Sequence, residues 1–124
     1  MLAFNIPNID LPPHQQTIVS RTCPVPVDAE MFAANGHFHT HEVAYQASIA
    51  GDPILDGQGV DGGARILFDP PRAVHAGDPV EWSCTDLNTG ATDVVSGRSF
   101  LKNEMCNFSG YIFPVKDSQT FRCP

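Results

Sequence analysis

Glycine and proline interrupt this chain at short intervals, which favours strands and turns over long helices. Ten glycines and eleven prolines are spread over 124 residues. Between them lie short β-branched or alternating stretches, the clearest at residues 16–22, 80–84 and 108–115. Residues 52–63 are rich in glycine and aspartate and are predicted to form a surface loop. The pattern predicts one all-β domain spanning residues 1–124, a β-sandwich or jelly roll.

Acidic residues outnumber basic ones, and the formal net charge is −7. Only seven residues are lysine or arginine, and they form no basic run. Phosphate backbones and anionic membrane surfaces bind clustered cations, so neither nucleic acid nor a membrane is an expected partner. The apolar runs are also too short to span a bilayer. The first residues, MLAFNIPNIDLPP, lack the charged and apolar regions of a signal peptide.

Four cysteines are dispersed along the chain, at positions 23, 84, 106 and 123. None belongs to a CxxC pair, which argues against a zinc ribbon or a thioredoxin-like redox site. An even number of dispersed cysteines predicts two disulfides and an oxidising location, either secreted or periplasmic. Three pairings are open to four cysteines. In one of them Cys23–Cys123 ties the two ends of the domain together and Cys84–Cys106 closes a shorter loop.

A histidine triplet, HFHTH at residues 37–41, is the sharpest chemical feature of the sequence. Its alternation predicts one strand through residues 30–49, with His37, His39 and His41 on the same face. Side chains two residues apart on a strand point the same way, about 6.6 to 7 Å apart at their Cα atoms. Two such imidazoles can converge on one metal ion, while a third lies further from its centre. We therefore expect two ligands from this stretch, with His41 as a nearby accessory group.

A second feature is Met105, which stands in the stretch NEMCN beside a cysteine. A methionine alone is more typical of core packing than of metal binding. Taken with the histidines, however, three stretches resemble one family: MFAANGHFH, AVHAGDPVEWSCTDLN and NEMCNFSGYIFP. They are similar, in this order, to the C-terminal catalytic domain of the type II copper, ascorbate-dependent monooxygenases. That family includes the peptidylglycine α-hydroxylating and dopamine β-monooxygenases and bacterial relatives.

The resemblance implies that His37, His39 and Met105 hold one copper ion, which cycles between Cu(I) and Cu(II). In the related enzymes this copper is where O₂ is activated and a C–H bond of a small-molecule or peptide substrate is hydroxylated, with ascorbate as reductant. A second copper, held by three histidines of a preceding domain, supplies the other electron in those enzymes. The 124 residues of this chain have no room for such a domain.

The same resemblance implies a fold and a disulfide pairing. The fold is an antiparallel jelly-roll sandwich, and the implied disulfides are Cys23–Cys123 and Cys84–Cys106. One position departs from the family, because relatives usually carry glycine where this chain has Glu42. A register that uses His39 and His41 as the ligands would leave Ala44 at that position, but it would break the match to the preceding strand.

Other functions fit parts of the pattern. A copper-binding protein without turnover would use the same ligands for storage, delivery or sensing. A zinc hydrolase would use the three histidines with Glu42 or Glu104 as base, although a thioether favours Cu(I) and neighbouring strand histidines fit poorly in one tetrahedron. An interaction module would bind no metal at all. Asp86 is expected to be a solvated loop residue rather than part of a catalytic carboxylate pair.

Overall fold

The computed structural model describes residues 1–58 and 64–124 of the chain. Within them the strands are β1 (Leu2–Asn5), β2 (Asp10–Leu11), β3 (Gln15–Pro24), β4 (Ala29–Phe38), β5 (Glu42–Ile49), β6 (Asp52–Gln58), β7 (Arg65–Val74), β8 (Pro79–Asn88), β9 (Val94–Val95) and β10 (Cys106–Phe113). A short 3-10 helix, Lys116–Ser118, follows β10. Across these two described stretches, no helix has the length and apolar character needed to cross a membrane.

Eight of these strands form two four-stranded antiparallel sheets that enclose one core. The first sheet has the order β1-β10-β4-β7, and the second has the order β3-β8-β5-β6. The two-residue strands β2 and β9 pair as a separate ribbon. Because strands that follow one another along the chain mostly alternate between the sheets, the connectivity is that of a jelly roll. The predicted all-β sandwich is confirmed.

Period-two alternation explains how the two sheets share a core. In β8 every second residue from position 80 to 84 is buried, while the residues between them face outward. Trp82 is the largest of these, and its ring lies 6.0 Å from Phe4 and 6.2 Å from Phe108, measured between centroids. Its indole N–H donates to the carbonyl oxygen of Cys106 at 3.1 Å. Burial of one such large apolar side chain stabilises the fold by about 1.5 to 3 kcal/mol.

The two disulfides join distant parts of the chain. Cys23 of β3 is bonded to Cys123 near the C-terminus, with their Cα atoms 5.6 Å apart. Cys84 of β8 is bonded to Cys106 of β10, with Cα atoms 6.0 Å apart, so this bridge joins the second sheet to the first. The pairing implied by the family resemblance is confirmed. Two disulfides indicate an oxidising compartment.

The expectation of one continuous strand around the histidines is wrong. β4 ends at Phe38 and β5 begins at Glu42, so the chain turns between them. The N–H of Glu42 donates to the carbonyl oxygen of His39 at 3.4 Å, which closes the turn. The two strands belong to different sheets, so the residues after the turn do not extend the face that carries His37.

The expected surface loop over residues 52–63 is also wrong in its first part. β6 pairs antiparallel with β5, with Asp52 opposite Ile49. Ala50 and Gly51 connect the two strands with φ angles of 51° and 80°, which match the right-handed twist of a tight hairpin. The remainder of the expected loop, residues 59–63, lies outside the described residues.

Candidate metal centre

His37 lies near the end of β4, on the outer side of the first sheet. Its neighbours Gly36 and Phe38 are buried, so the alternation of the strand turns the His37 side chain away from the core. Asn107 of β10 stands directly opposite His37 in the ladder. Because opposed residues of an antiparallel pair have their side chains on the same face, His37 and Asn107 share this end of the outer surface.

His39 follows the last residue of β4 and is 5% exposed. Its ring centroid lies 5.3 Å from that of His37, and the two ring planes are nearly perpendicular at 81°. Two imidazoles that bind one metal ion through nitrogens at about 2 Å have ring centres roughly 4.5 to 5.5 Å apart. The structure therefore brings together the two histidines that the sequence proposes as ligands, at a spacing that suits one metal ion.

A backbone carbonyl fixes the tautomer of His39. The Nδ1 atom lies 2.8 Å from the carbonyl oxygen of Asn103. A carbonyl oxygen only accepts hydrogen bonds, so Nδ1 carries the proton and Nε2 keeps its lone pair. The Phe100 ring packs against the His39 ring with centroids 5.4 Å apart, which limits the positions the imidazole can take. Histidines that bind metals commonly have their other ring nitrogen held in this way.

Met105 immediately precedes β10, two residues before Asn107. Continuing the register of β10 and β4 past its last pair, Cys106 and Phe38, places Met105 opposite His39. The Asn107 side-chain amide donates to the Met105 sulfur at 3.8 Å, which locates the thioether beside the residue opposite His37. Met105 is half-buried. The thioether therefore stands at the same end of the first sheet as both imidazoles.

His41 does not join the other two histidines. It lies in the turn between β4 and β5, and its backbone carbonyl accepts the N–H of Leu87 at 2.8 Å. Its ring nitrogen Nδ1 approaches Glu104 Oε2 at 3.3 Å, within ion-pair distance but not aligned as a hydrogen bond. The expectation that three histidines share a strand face is therefore wrong, because the chain reverses direction immediately after His39.

In residues 1–58 and 64–124, no three or more histidine, cysteine, aspartate or glutamate side chains are grouped so as to hold a metal ion. A zinc site made from the three histidines and a nearby glutamate would be such a group, so the arrangement does not support the hydrolase alternative. The proposed ligands His37, His39 and Met105 do not form a group of this kind, because only the two histidines belong to those residue types.

Sequence reasoning missed a buried group of three carboxylates beside the histidines. Glu42 is 7% exposed, while Asp86 and Glu104 are fully buried. Glu42 of β5 stands opposite Asp86 of β8. The expectation that Asp86 is solvated is wrong, and the signal was present in the sequence: Asp86 continues the inward-facing positions of β8 by two residues.

Burial raises the pKa of two of these carboxyl groups. The pKa of Glu42 rises from 4.5 to about 7, first through burial and then through the charge of Glu104. The pKa of Asp86 rises to about 7 through burial, the charge of Glu104 and the charge of Glu42, in that order. Within the described part of the chain, the side-chain oxygens of Glu42 and Asp86 have no hydrogen-bond partner. The pair therefore releases its protons near neutral pH.

A cleft of about 350 Å³ lies on the same outer face of the first sheet as His37. Asn35, two positions before His37 on β4, forms part of its wall, and Arg65 stands opposite Asn35 on β7. The aromatic rings of Phe32 and Tyr111, with centroids 6.2 Å apart, line the far end. The cleft thus lies on the same face as His37, with Asn35 the lining residue nearest to it along β4.

Comparison with known proteins does not assign this chain to a family. No protein-family model matches the chain. No curated protein matches it either.

Proposed function

We propose that this domain binds one copper ion through His37, His39 and Met105 and belongs with the O₂-activating copper domains that it resembles. The observation that carries the proposal is the placement of His39. Its buried ring stands 5.3 Å from the His37 ring, and its Nδ1 is held by a backbone carbonyl so that Nε2 keeps its lone pair. This is how proteins prepare an imidazole for a metal ion.

The choice of copper rests on the third donor. A thioether is a soft ligand that suits Cu(I), whereas zinc sites are completed by cysteine, histidine or carboxylate. Met105 lies on the same face and is held beside Asn107. When bound by such donors, copper supplies one-electron redox chemistry and, in its reduced state, a place for O₂ to bind.

The residues of the chain would supply positioning and shelter. Asn103 orients the His39 ring through its carbonyl oxygen, and Phe100 covers the ring on another side. Asn107 holds the thioether next to His37. The cleft that includes Asn35, two residues before His37, would offer a small-molecule or peptide substrate a place on the same face of the sheet.

A copper-binding domain without turnover, used for storage, delivery or sensing, is the second candidate. It is favoured by the described residues, in which no three histidines are grouped as a second copper site would require. The enzymes that the chain resembles draw a second electron from such a copper in another domain. For turnover by this domain, that electron would come from ascorbate or from a copper outside the described residues. Two disulfides in so small a domain support a secreted or periplasmic location.

Copper titration of the reduced protein, followed by X-ray absorption spectroscopy, tests the metal site. We expect one Cu(I) per chain with nitrogen and sulfur scatterers, and loss of the sulfur scatterer in Met105→Ile. His75→Ala is the matched control, since the His75 side chain is 70% exposed and pairs with Asp78 outside the site. A wild-type spectrum with only nitrogen and oxygen neighbours would remove Met105 from the site and end the proposal.

Turnover separates the two candidates. The copper-loaded protein is supplied with ascorbate, O₂ and a panel of small aromatic and aliphatic compounds. A hydroxylated product that disappears in Met105→Ile, with copper still bound through the histidines, supports the oxygenase. Peroxide as the sole product across the panel supports binding without turnover.

A further inference from the structure

The carboxylate of Glu104 is fully buried and serves two segments of the chain at once. Its Oε1 accepts hydrogen bonds from the backbone N–H of His39 and from that of Met105, the latter at 3.0 Å. Its Oε2 accepts the backbone N–H of His41 at 3.0 Å. One side chain thus joins the turn after β4 to the segment before β10, which lie more than 60 residues apart in sequence.

These bonds offset the cost of placing a carboxylate inside the domain. A buried carboxylate is expensive unless donors surround it, and hydrogen bonds to an ionised group are the strong ones. The neighbouring Glu42 and Asp86 make no hydrogen bond to Glu104, and the charge of Glu104 raises the pKa of both. Replacing Glu104 by an apolar side chain would leave the N–H groups of His39, His41 and Met105 without an acceptor, so the carboxylate ties these backbone positions together.

We propose that Glu104 is the positioning residue that sets the separation of His39 and Met105 and so keeps the thioether in the copper site. The inference rests on the proposed copper function. It follows from geometry: the same oxygen atom, Oε1, accepts the N–H groups of both residues, so their backbones cannot separate without breaking one of these bonds. The His39 ring is also held by the carbonyl of Asn103, the residue before Glu104.

The role requires two acceptor oxygens. A carboxylate only accepts hydrogen bonds, whereas an amide presents one acceptor and one NH₂ donor. In Glu104→Gln the NH₂ group would face at least one of the three N–H groups, and this donor–donor contact would push the side chain away from His39 and Met105. Glu104→Asp keeps both acceptors but is one methylene shorter, so it would reach only one of the two segments.

The experiment compares wild type, Glu104→Gln, Glu104→Asp and Asp86→Asn. Asp86 is the matched control, because it is a fully buried carboxylate of the same group without a hydrogen bond to His39, His41 or Met105. We expect the Cu(I) affinity of both Glu104 variants to fall about 10- to 100-fold with loss of the sulfur scatterer. Asp86→Asn should keep both. A Glu104→Gln or Glu104→Asp protein with wild-type affinity and an intact copper–sulfur distance would overturn the inference.

Amide hydrogen exchange on the metal-free proteins supplies the readout that does not depend on copper. The N–H groups of His39, His41 and Met105 should be protected in wild type and in Asp86→Asn, and should exchange faster in the Glu104 variants. If wild type shows no copper–sulfur bond, the proposed function fails and the positioning role fails with it. If wild type shows that bond and either folded Glu104 variant retains it with wild-type affinity, the positioning role alone fails. Should Glu104→Gln not fold, Glu104→Asp decides the question.

Discussion

The Nδ1 atom of His39 lies 2.8 Å from the backbone carbonyl oxygen of Asn103, a residue 64 positions further along the chain. The contact joins the turn after β4 to the segment that carries Met105. It orients one imidazole toward the outer face of the first sheet, where the other candidate ligands lie. The candidate metal site therefore depends on two segments that meet only through the jelly-roll connectivity.

The first prediction separates His39 from His41. His39→Ala should lower Cu(I) affinity by at least about 100-fold, because it removes a ligand whose ring is already oriented. His41→Ala should change the affinity less than about threefold, since the His41 ring is directed at Glu104. Competition with a chromophoric Cu(I) chelator measures both. A larger loss in His41→Ala than in His39→Ala would show that a different pair of histidines binds the metal.

The second prediction concerns pH and the metal-free protein. Folding raises the pKa of Glu42 from 4.5 to about 7, so the folded state retains a proton that the unfolded chain has released across this window. The free energy of unfolding should therefore fall as pH rises from about 4.5 to 7 and level off above pH 7. With Asp86 shifted in the same direction, the total fall should be several kcal/mol, because a tenfold change in acidity corresponds to about 1.4 kcal/mol.

Urea unfolding at a series of pH values checks this dependence. The titratable groups that interact with Glu42 are Asp86, Glu104 and Tyr45, and the Tyr45 pKa is raised by its own burial and by the charge of Glu42. Glu42→Gln and Asp86→Asn should each flatten the curve and should be more stable than wild type at pH 8. Stability that rises between pH 5 and pH 8 would contradict the assignment.

The third prediction concerns Gly36, which lies under the Tyr45 ring. A Cβ atom at position 36 would overlap the ring carbons of Tyr45. The Tyr45 hydroxyl donates to the carbonyl oxygen of Asn107 at 3.0 Å, so the ring cannot move without breaking this bond. Gly36→Ala should therefore cost about 1 to 3 kcal/mol of unfolding free energy. Gly90→Ala, on the surface, should stay within about 0.5 kcal/mol of wild type in the same denaturant titration.

The fourth prediction distinguishes the two disulfides. Their sequence separations are 100 residues for Cys23–Cys123 and 22 for Cys84–Cys106. The loop-entropy model gives the longer loop about 1 kcal/mol more stabilisation. Replacing Cys23 and Cys123 by alanine should therefore destabilise the domain more than replacing Cys84 and Cys106.

Copper binding should respond in the opposite order. Cys106 adjoins Met105, and its bridge holds β10 against β8, so its loss should weaken Cu(I) binding. Cys23 lies near the C-terminal end of β3, whereas Thr17 near the start of that strand pairs with Asp86 beside the candidate site. Loss of the Cys23–Cys123 bridge should therefore leave the Cu(I) affinity within about twofold. Equal effects of the two double variants on copper affinity would contradict a local role for the Cys84–Cys106 bridge.

Much of the fold was predictable because strand alternation and turn residues are local signals. The inward positions of β8 and the even set of cysteines can be read from short stretches of sequence, whereas the strand β6 was missed because glycine and aspartate dominate its stretch. The same local signal misled at residues 37–41, where alternation continued through a turn. Asp86 was misassigned for the opposite reason: its charge suggested solvent, although its position in the alternation indicated the core.

The sequence by itself determined which residue types are available to a metal site, namely two imidazoles two positions apart and a distant thioether. It also determined the repeated alternation that makes the chain a sandwich. Only the tertiary structure decided which histidine turns away, which carbonyl orients His39 and which carboxylate joins it to Met105. The physical reason is the distance along the chain over which each kind of interaction acts. Alternation acts between neighbouring residues, whereas the hydrogen bonds of Asn103 and Glu104 form between segments that meet only after both sheets have packed.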